Sequence, residues 1–400
     1  MNIYKILHNF VNLIHNTVHN RVSYIIITLA VLCSVITGRS NDALFKVINR
    51  SNGLEDLHTT AIFADNKGYI WFGTMSGIER FDGINTRYFP LFDAADAALR
   101  VNAIAQTADD AIWIATNSGI RYKASNSGQF EQAYRQQIYE PTTSLITYRD
   151  TVFVGAESGL YKICSGKVSA LKLDNDLYKR SVKVNAMAVG RDSLSIWLAT
   201  AKGLAKYSVK TGSIQNIAVN QSIEYTAIAN LDDKLYLASA THGLSVYDIT
   251  NHQFSHNIDA DSQMISAIST NGRDLVYIGT DGNGVRVFNA HTQQVVGAFK
   301  SSDKSVLSSD AVYSLYCQPQ NGRLWIGYFD TGAAYRLMDN AIYQQYHCGD
   351  FQLDGSVART VAGDSKHLAV GTRTGVWYID TNGNSARKFG KEQMKTASIL

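Results

Sequence analysis

Proline is almost missing from this chain, 3 in 400 residues, and charge of either sign is modest, 18% of positions. With 45% apolar residues beside them, those figures exclude a disordered chain. An electrostatic excess is also lacking. Net charge is +3, and setting aside Lys5 and Arg21, both in the first 38 residues, leaves 35 basic side chains against 34 acidic ones. A nearly neutral body offers no concentrated basic face, so no nucleic-acid partner is expected. The four cysteines form no C-x-x-C pair. Cys33 lies near the N-terminus, and Cys164, Cys317 and Cys348 are far apart, with 317–348 the shortest span for a disulfide. The simpler expectation is three small buried hydrophobes, since a chain of this length builds its core without staples.

Catalytic signatures are equally scarce. There is no H-E-x-x-H, G-x-S-x-G or phosphate-binding loop. Asp281, Asn283 and Gly284 in "TDGNGV" hint at a calcium loop but lack its carboxylates and closing Glu, so a hairpin is expected. The acid pairs Asp109–Asp110 and Asp232–Asp233 fall at turn positions beside strands and read as solvated turn residues. His15 and His19 stand four apart on a helical stripe with no third ligand and read as part of a leader. No cofactor and no resident metal are expected.

Beyond residue 38 no apolar run is long enough to span a bilayer. Before it, "YIIITLAVLCSVIT" (24–37) is uncharged, follows Arg21 and precedes Gly38 and Ser40. Its 14 residues suit a secretory signal better than a span of about 20. "AVL" before Cys33 lacks the small residue of a lipoprotein site. Residues 1–38 therefore read as an export signal, cut near Gly38, or as an uncleaved N-terminal anchor. Both place residues 39–400 outside the cytoplasm, in the periplasm or beyond, and membrane contact runs only through that segment.

What is present is a repeat. "IWFGTMSGI" (70–78) returns as "IWIATNSGI" (112–120), "VFVGAESGL" (152–160), "IWLATAKGL" (196–204), "LYLASATHGL" (235–244), "VYIGTDGNGV" (276–285), "LWIGYFDTGA" (324–333) and "LAVGTRTGV" (368–376). The aromatic position holds Trp71, Trp113, Phe153, Trp197, Tyr236, Tyr277 and Trp325, and Ala369 in the last copy, at intervals of 39 to 48 residues. That period is close to the ~40–45 residues of a four-stranded propeller blade. Each unit has a strand about ten residues earlier, such as "TTAIFAD" or "VNAMAVG", then a polar turn, the motif strand, a third strand and a weaker outer one.

The fold class is thus all-β, a β-propeller of four-stranded antiparallel blades. Eight copies allow an eight-bladed ring, or a seven-bladed ring with the eighth copy starting another. "ALFKVIN" (43–49) has no blade of its own and is expected to close the ring on its final blade. Within the motif the aromatic is expected to fill space between blades. The Gly or Ala two residues on (Gly73, Ala115, Gly155) has to be small because the next blade approaches there. The last glycine, as at Gly77, Gly119 and Gly203, has to close a tight hairpin.

"GLEDLHTTAIFADNKGYIWFGTMSGIERFDG" (53–83) and "LSSDAVYSLYCQPQNGRLWIGYFDTGAAYRL" (307–337) resemble the two-component regulator propeller repeat. The resemblance spans about residues 43–385, strongest in the first copy. It implies the periplasmic sensor region of a hybrid histidine kinase of the kind found in Bacteroidetes, many of which respond to glycan breakdown products. Members usually add more propeller, an immunoglobulin-like domain, a membrane span, a kinase and a regulator. These 400 residues contain none of those, which leaves a sensor-like propeller, either a fragment of a longer product or a free-standing relative.

The hairpin tips expected around the channel mouth are Ser76, Asn117, Glu157, Lys202, His242, Asp281, Asp330 and Arg373, a polar ring suited to an oligosaccharide or another polar small ligand. Loop tips are polar in most proteins, so this ring is also what solvent alone would select. Two rival functions stand beside ligand sensing. One is a protein-interaction or homodimerisation scaffold. The other is a propeller lyase or hydrolase, which needs Glu157, His242 and Arg373 to converge.

Overall fold

The computed structural model describes residues 45–93, 95–171, 182–217, 223–258, 264–302, 307–318, 320–338, 358–363, 367–372, 375–380 and 385–389. The leader, His15, His19, Cys33, Cys348 and Arg373 lie outside the described residues. The chain divides into two compact units after Met338.

The first unit is a ring of seven four-stranded antiparallel sheets, and the eighth repeat copy forms a four-stranded sheet of its own in the second unit. Blade 1 shows the plan. Thr59–Ala64 pairs with Ile70–Thr74, which pairs with Gly77–Phe81, which pairs with Thr86–Pro90. First strands follow at Val101–Gln106, Thr142–Tyr148, Val184–Val189, Ala227–Leu231, Ile265–Thr270 and Val312–Gln318. Each packs beside the first strand of the next blade, and the seventh packs against the first, which closes the ring. Blade 7 has only three strands of its own, and the N-terminal segment Lys46–Ile48 supplies the fourth. It lies antiparallel to Ala333–Leu337, with Val47 opposite Ala334. The closing strand is therefore the expected one, but its partner is the seventh copy rather than the eighth.

The repeated motif is explained by packing between blades. Trp71 lies in one buried cluster with Leu99, Val101, Ile112 and Ile114 of blade 2. Trp325 of blade 7 packs on Ile70, Phe72 and Phe81 of blade 1. The indole N–H groups find partners at the preceding turn, Trp71 Nε1 donating to Asp65 Oδ2 at 2.8 Å and Trp325 Nε1 to Gln318 Oε1 at 2.9 Å. A Cβ at Gly73 would stand 2.7 Å from Val101 Cγ1, and one at Gly279 would stand 2.7 Å from Val312 Cγ1. The next blade is what keeps this position small. The threonine of the motif also has a task, since Thr74, Thr116, Thr200 and Thr280 donate to the carbonyls of Gly77, Gly119, Gly203 and Gly284 at 2.7–3.0 Å. Gly119 turns the hairpin at φ +74, a left-handed conformation that an L side chain resists.

A second connection runs between first strands. Six of the seven have a bulge near the start, and the bulged residue is small and polar in five of those six. Thr60 donates to Val101 O (2.5 Å), Asn102 to Thr142 O (2.7 Å), Thr143 to Val184 O, Asn185 to Tyr225 O (2.9 Å) and Ser266 to Val312 O (2.5 Å). These side-chain bonds join five blades to their successors. At the closing seam the bulged residue is Tyr313, and Ser314 Oγ donates to Thr59 O instead, at 3.1 Å.

Cys317 is buried in the blade 6–blade 7 core as expected, whereas Cys164 is only half-buried at the end of a blade 3 strand. It sits there because the third strand ends at that residue.

Candidate functional site

Antiparallel order fixes two faces for the ring. First strands start, second strands end and third strands start on one face, so inter-blade loops and second-to-third hairpins gather there. Short turns occupy the other face. There, Lys67 and Asp110 (3.5 Å) and Arg191 and Asp232 (3.3 Å) pair between neighbouring blades. This agrees with reading the acid pairs as turn residues, and exposed pairs of this type contribute about 0–1 kcal/mol.

The hairpin face carries seven of the eight expected tips, and several are occupied structurally. Asn117 Oδ1 accepts from Arg100 N at 3.0 Å, tying its hairpin to the preceding loop. Glu157 pairs with Lys183 of blade 4 at 2.9 Å. Lys202 N donates to Thr200 Oγ1 at 3.1 Å. His242 Nδ1 lies 2.8 Å from Thr241 Oγ1. The "TDGNGV" segment is a hairpin held to the next blade, with Gly282 N and Gly284 N both donating to Asp310 O, and Asp281 N donates to Met264 O at 3.1 Å. Ser76 Oγ donates to Asp56 Oδ2 at 2.8 Å. Asp330 is an exposed tip beside His58, close enough to act on its charge. The eighth expected tip, Arg373, lies outside the described residues. Glu157 sits in blade 3 and His242 in blade 5, each with its own partner, and no contact between them is seen among the described residues.

Residues just before the first strands form an inner ring that the sequence reading did not single out: His58, Arg100, Lys183, Glu224 and Met264. Asn185 Nδ2 donates to Glu224 Oε1 at 3.1 Å, so blades 3 to 5 present a charged and amide sector. Around blades 6, 7 and 1 the character changes. Met264, Tyr313, Phe329 and Met75 are exposed there, and Phe92 and Tyr139 add further exposed rings to the loops of the same face.

Tyr313 and Phe329 gather on His58. The imidazole centroid lies 4.7 Å from the Tyr313 ring, edge-on at 79°, and 4.4 Å from the Phe329 ring. Tyr313 and Phe329 are 6.0 Å apart. His58 N donates to Asp56 Oδ1 at 3.0 Å, while its Nε2 is buried without a protein partner. Burial is the main cause holding its pKa below the ordinary value, Asp56 opposes it, Arg100 adds to it and Asp330 opposes it. The imidazole is therefore neutral near pH 7. The sequence did contain a signal for this cluster. When the first strands are aligned by sequence, Thr60, Asn102, Thr143, Asn185, Thr226 and Ser266 occupy the position that Tyr313 fills in blade 7.

Comparison with known proteins agrees with the repeat. Residues 53–76 match the model of the two-component regulator propeller family, so the resemblance seen in the sequence is shown there. No curated protein matches the chain. Among solved structures it is similar to the extracellular domain of a putative hybrid two-component system from B. thetaiotaomicron, at 17% identity and TM-score 0.64, covering 89% of this chain and 48% of that one. A second structure from the same organism, described as the extracellular domain of a putative one-component system, gives 18% identity and TM-score 0.64, covering 90% of this chain and 48% of that one. This chain thus spans about half the length of those two. The β-propeller domain of a Myceliophteria thermophila protein is also similar, at 10% identity and TM-score 0.57, covering 74% of this chain and all of that one. At such identities the likeness shows the propeller fold.

Proposed function

We propose that this chain is the sensing region of an exported two-component regulator and that it binds a polar ligand, a saccharide, on the hairpin face of its seven-bladed ring. The repeat match and the fold support the sensor assignment. The observation that carries the ligand reading is the two-sided character of that face. Exposed rings lie around blade 7, and a charged and amide sector lies across blades 3 to 5. A sugar offers the same pairing, apolar C–H faces with hydroxyl edges. On this reading the chain acts by binding, and among the described residues Glu157 and His242 each have a partner of their own. Export follows from the leader read in the sequence, and among the described residues no helix is long and apolar enough to cross a membrane. Calorimetric titration with neutral and acidic oligosaccharides is the test. Saturable binding by one class is the expected result, and silence across all of them rejects the saccharide.

A docking scaffold is favoured by one feature. The outer strand of blade 6, Gln294–Phe299, has no charged residue and leaves Val295 and Val296 exposed. Light scattering on a concentration series checks it. A dimer lost in Val295→Lys supports that reading, and a monomer at every concentration excludes a homodimer.

A further inference from the structure

We propose that Tyr313 and Phe329, set on His58 at the seam between blades 7 and 1, form a stacking subsite for an uncharged sugar ring. The proposal rests on the ligand-sensing reading above and adds to it a place and a set of residues.

The seam breaks the ring's own rule. At the bulge of the first strand, five blades use a small polar side chain to join the next blade. In blade 7 that position is Tyr313, and the bond is made by Ser314, one residue later. The polar bond across the seam is therefore made without Tyr313, which sets its ring against His58 of blade 1 and stays 37% exposed. Phe329, next to the Asp330 tip, is 51% exposed, and its counterparts in blades 2 to 6 are Asn117, Glu157, Ala201, Ala240 and Asp281, none of them aromatic. Two large, partly exposed rings thus rest on a half-buried imidazole whose buried Nε2 has no protein partner. Departures of this kind from a local rule concentrate at functional sites.

The surroundings select the ligand's charge. Arg100, Asp56 and Asp330 all lie within electrostatic reach of the imidazole. Mixed signs around a stacking surface favour neither an anion nor a cation. They offer a donor and acceptors to a neutral polyol whose C–H face lies on the rings. His58 is a positioning residue here. It touches both rings, and the two residues stay 37% and 51% exposed.

The test uses the full chain and saturation-transfer NMR with cello-, xylo-, manno- and galacto-oligosaccharides from di- to hexasaccharide as probes. At least one is expected to bind, with saturation strongest on ring C–H protons. Tyr313→Thr, which restores the residue type of blades 1 and 3, and Phe329→Ser are each expected to weaken that binding about tenfold or more. Their melting temperatures should stay within about 2 °C of wild type. His58→Phe keeps a supporting ring and should retain binding, whereas His58→Ala should lose it. If a probe binds wild type and these variants equally, the subsite is wrong and the ligand reading stands. If no probe binds wild type, the saccharide reading fails, and the subsite fails with it.

Discussion

Gly327→Ala is the sharpest test of how the ring is closed. Gly327 lies in the second strand of blade 7, opposite Ser314. A Cβ there would stand 2.7 Å from Thr59 Cγ2 and 2.8 Å from Thr59 O, and would collide with Ser314 Oγ. All three atoms belong to the seam, and Ser314 Oγ is the donor that holds Thr59 O. Two costs therefore combine. Forcing a methyl into a filled interface costs about 1–3 kcal/mol, and losing the bond between Ser314 and Thr59 costs about 0.5–1.5 kcal/mol. A total of about 2–4 kcal/mol follows. At about 2 °C per kcal/mol for a ring of this size, calorimetry should show Tm falling by about 4–8 °C. Gly297→Ala is the matched control. A Cβ there meets nothing within 4 Å, so its effect should stay within about 0.5 kcal/mol. If Gly327→Ala melts with the control, close approach between blades is not what keeps this motif position small.

Three further outcomes are expected. Glu79 is fully buried, and its Oε1 accepts from the backbone N–H groups of Glu55 (2.9 Å) and Asp56 (3.1 Å). Burial pushes its pKa above the ordinary 4.5 against the pull of those two bonds. Its favourable contribution is thus complete below 4.5 and declines as pH rises through the folded value. Glu79→Gln keeps the acceptor and loses the charge, so its Tm relative to wild type should rise between about pH 4 and about pH 7; a constant difference across that range refutes the assignment. Ile48→Ala empties a site packed against Leu54, Phe72 and Trp325 and should cost about 2–5 kcal/mol, with hydrogen exchange accelerating first in Ala333–Leu337; uniform exchange across blades argues against closure by the N-terminal strand. Lys183→Ala removes a half-exposed pair and should cost less than about 1 kcal/mol by urea denaturation, so a larger loss means that Lys183 has a structural role the pair does not explain.

Much of the blade was legible because each requirement is local. The neighbouring blade's approach writes Gly or Ala at 73, 155, 279 and 327, and the hairpin writes glycine at 77 and 119. Ring size was harder to read. It depends on whether Lys46–Ile48 pairs with the seventh or the eighth copy, a contact across nearly 290 residues that no short pattern encodes. The candidate site was read least well. Polar hairpin tips stood out, yet Asn117 and Glu157 are engaged in tying loops together. Tyr313 does not stand out by its type, since a tyrosine on a strand commonly belongs to a core. Only against the polar residues at the same bulge in other blades does its exposure become meaningful.

The pairing of Lys46–Ile48 with Ala333–Leu337 also has a mechanical consequence. The two strands are antiparallel, so the chain enters at Lys46 and leaves at Leu337 on the same side of blade 7, away from the hairpin face. Tension applied through both ends does not shear the three residue pairs together. It loads Lys46 with Tyr335 first, then Val47 with Ala334, then Ile48 with Ala333, as a zipper is opened. The ring's weakest response to force thus lies in the blade that also carries Tyr313 and Phe329.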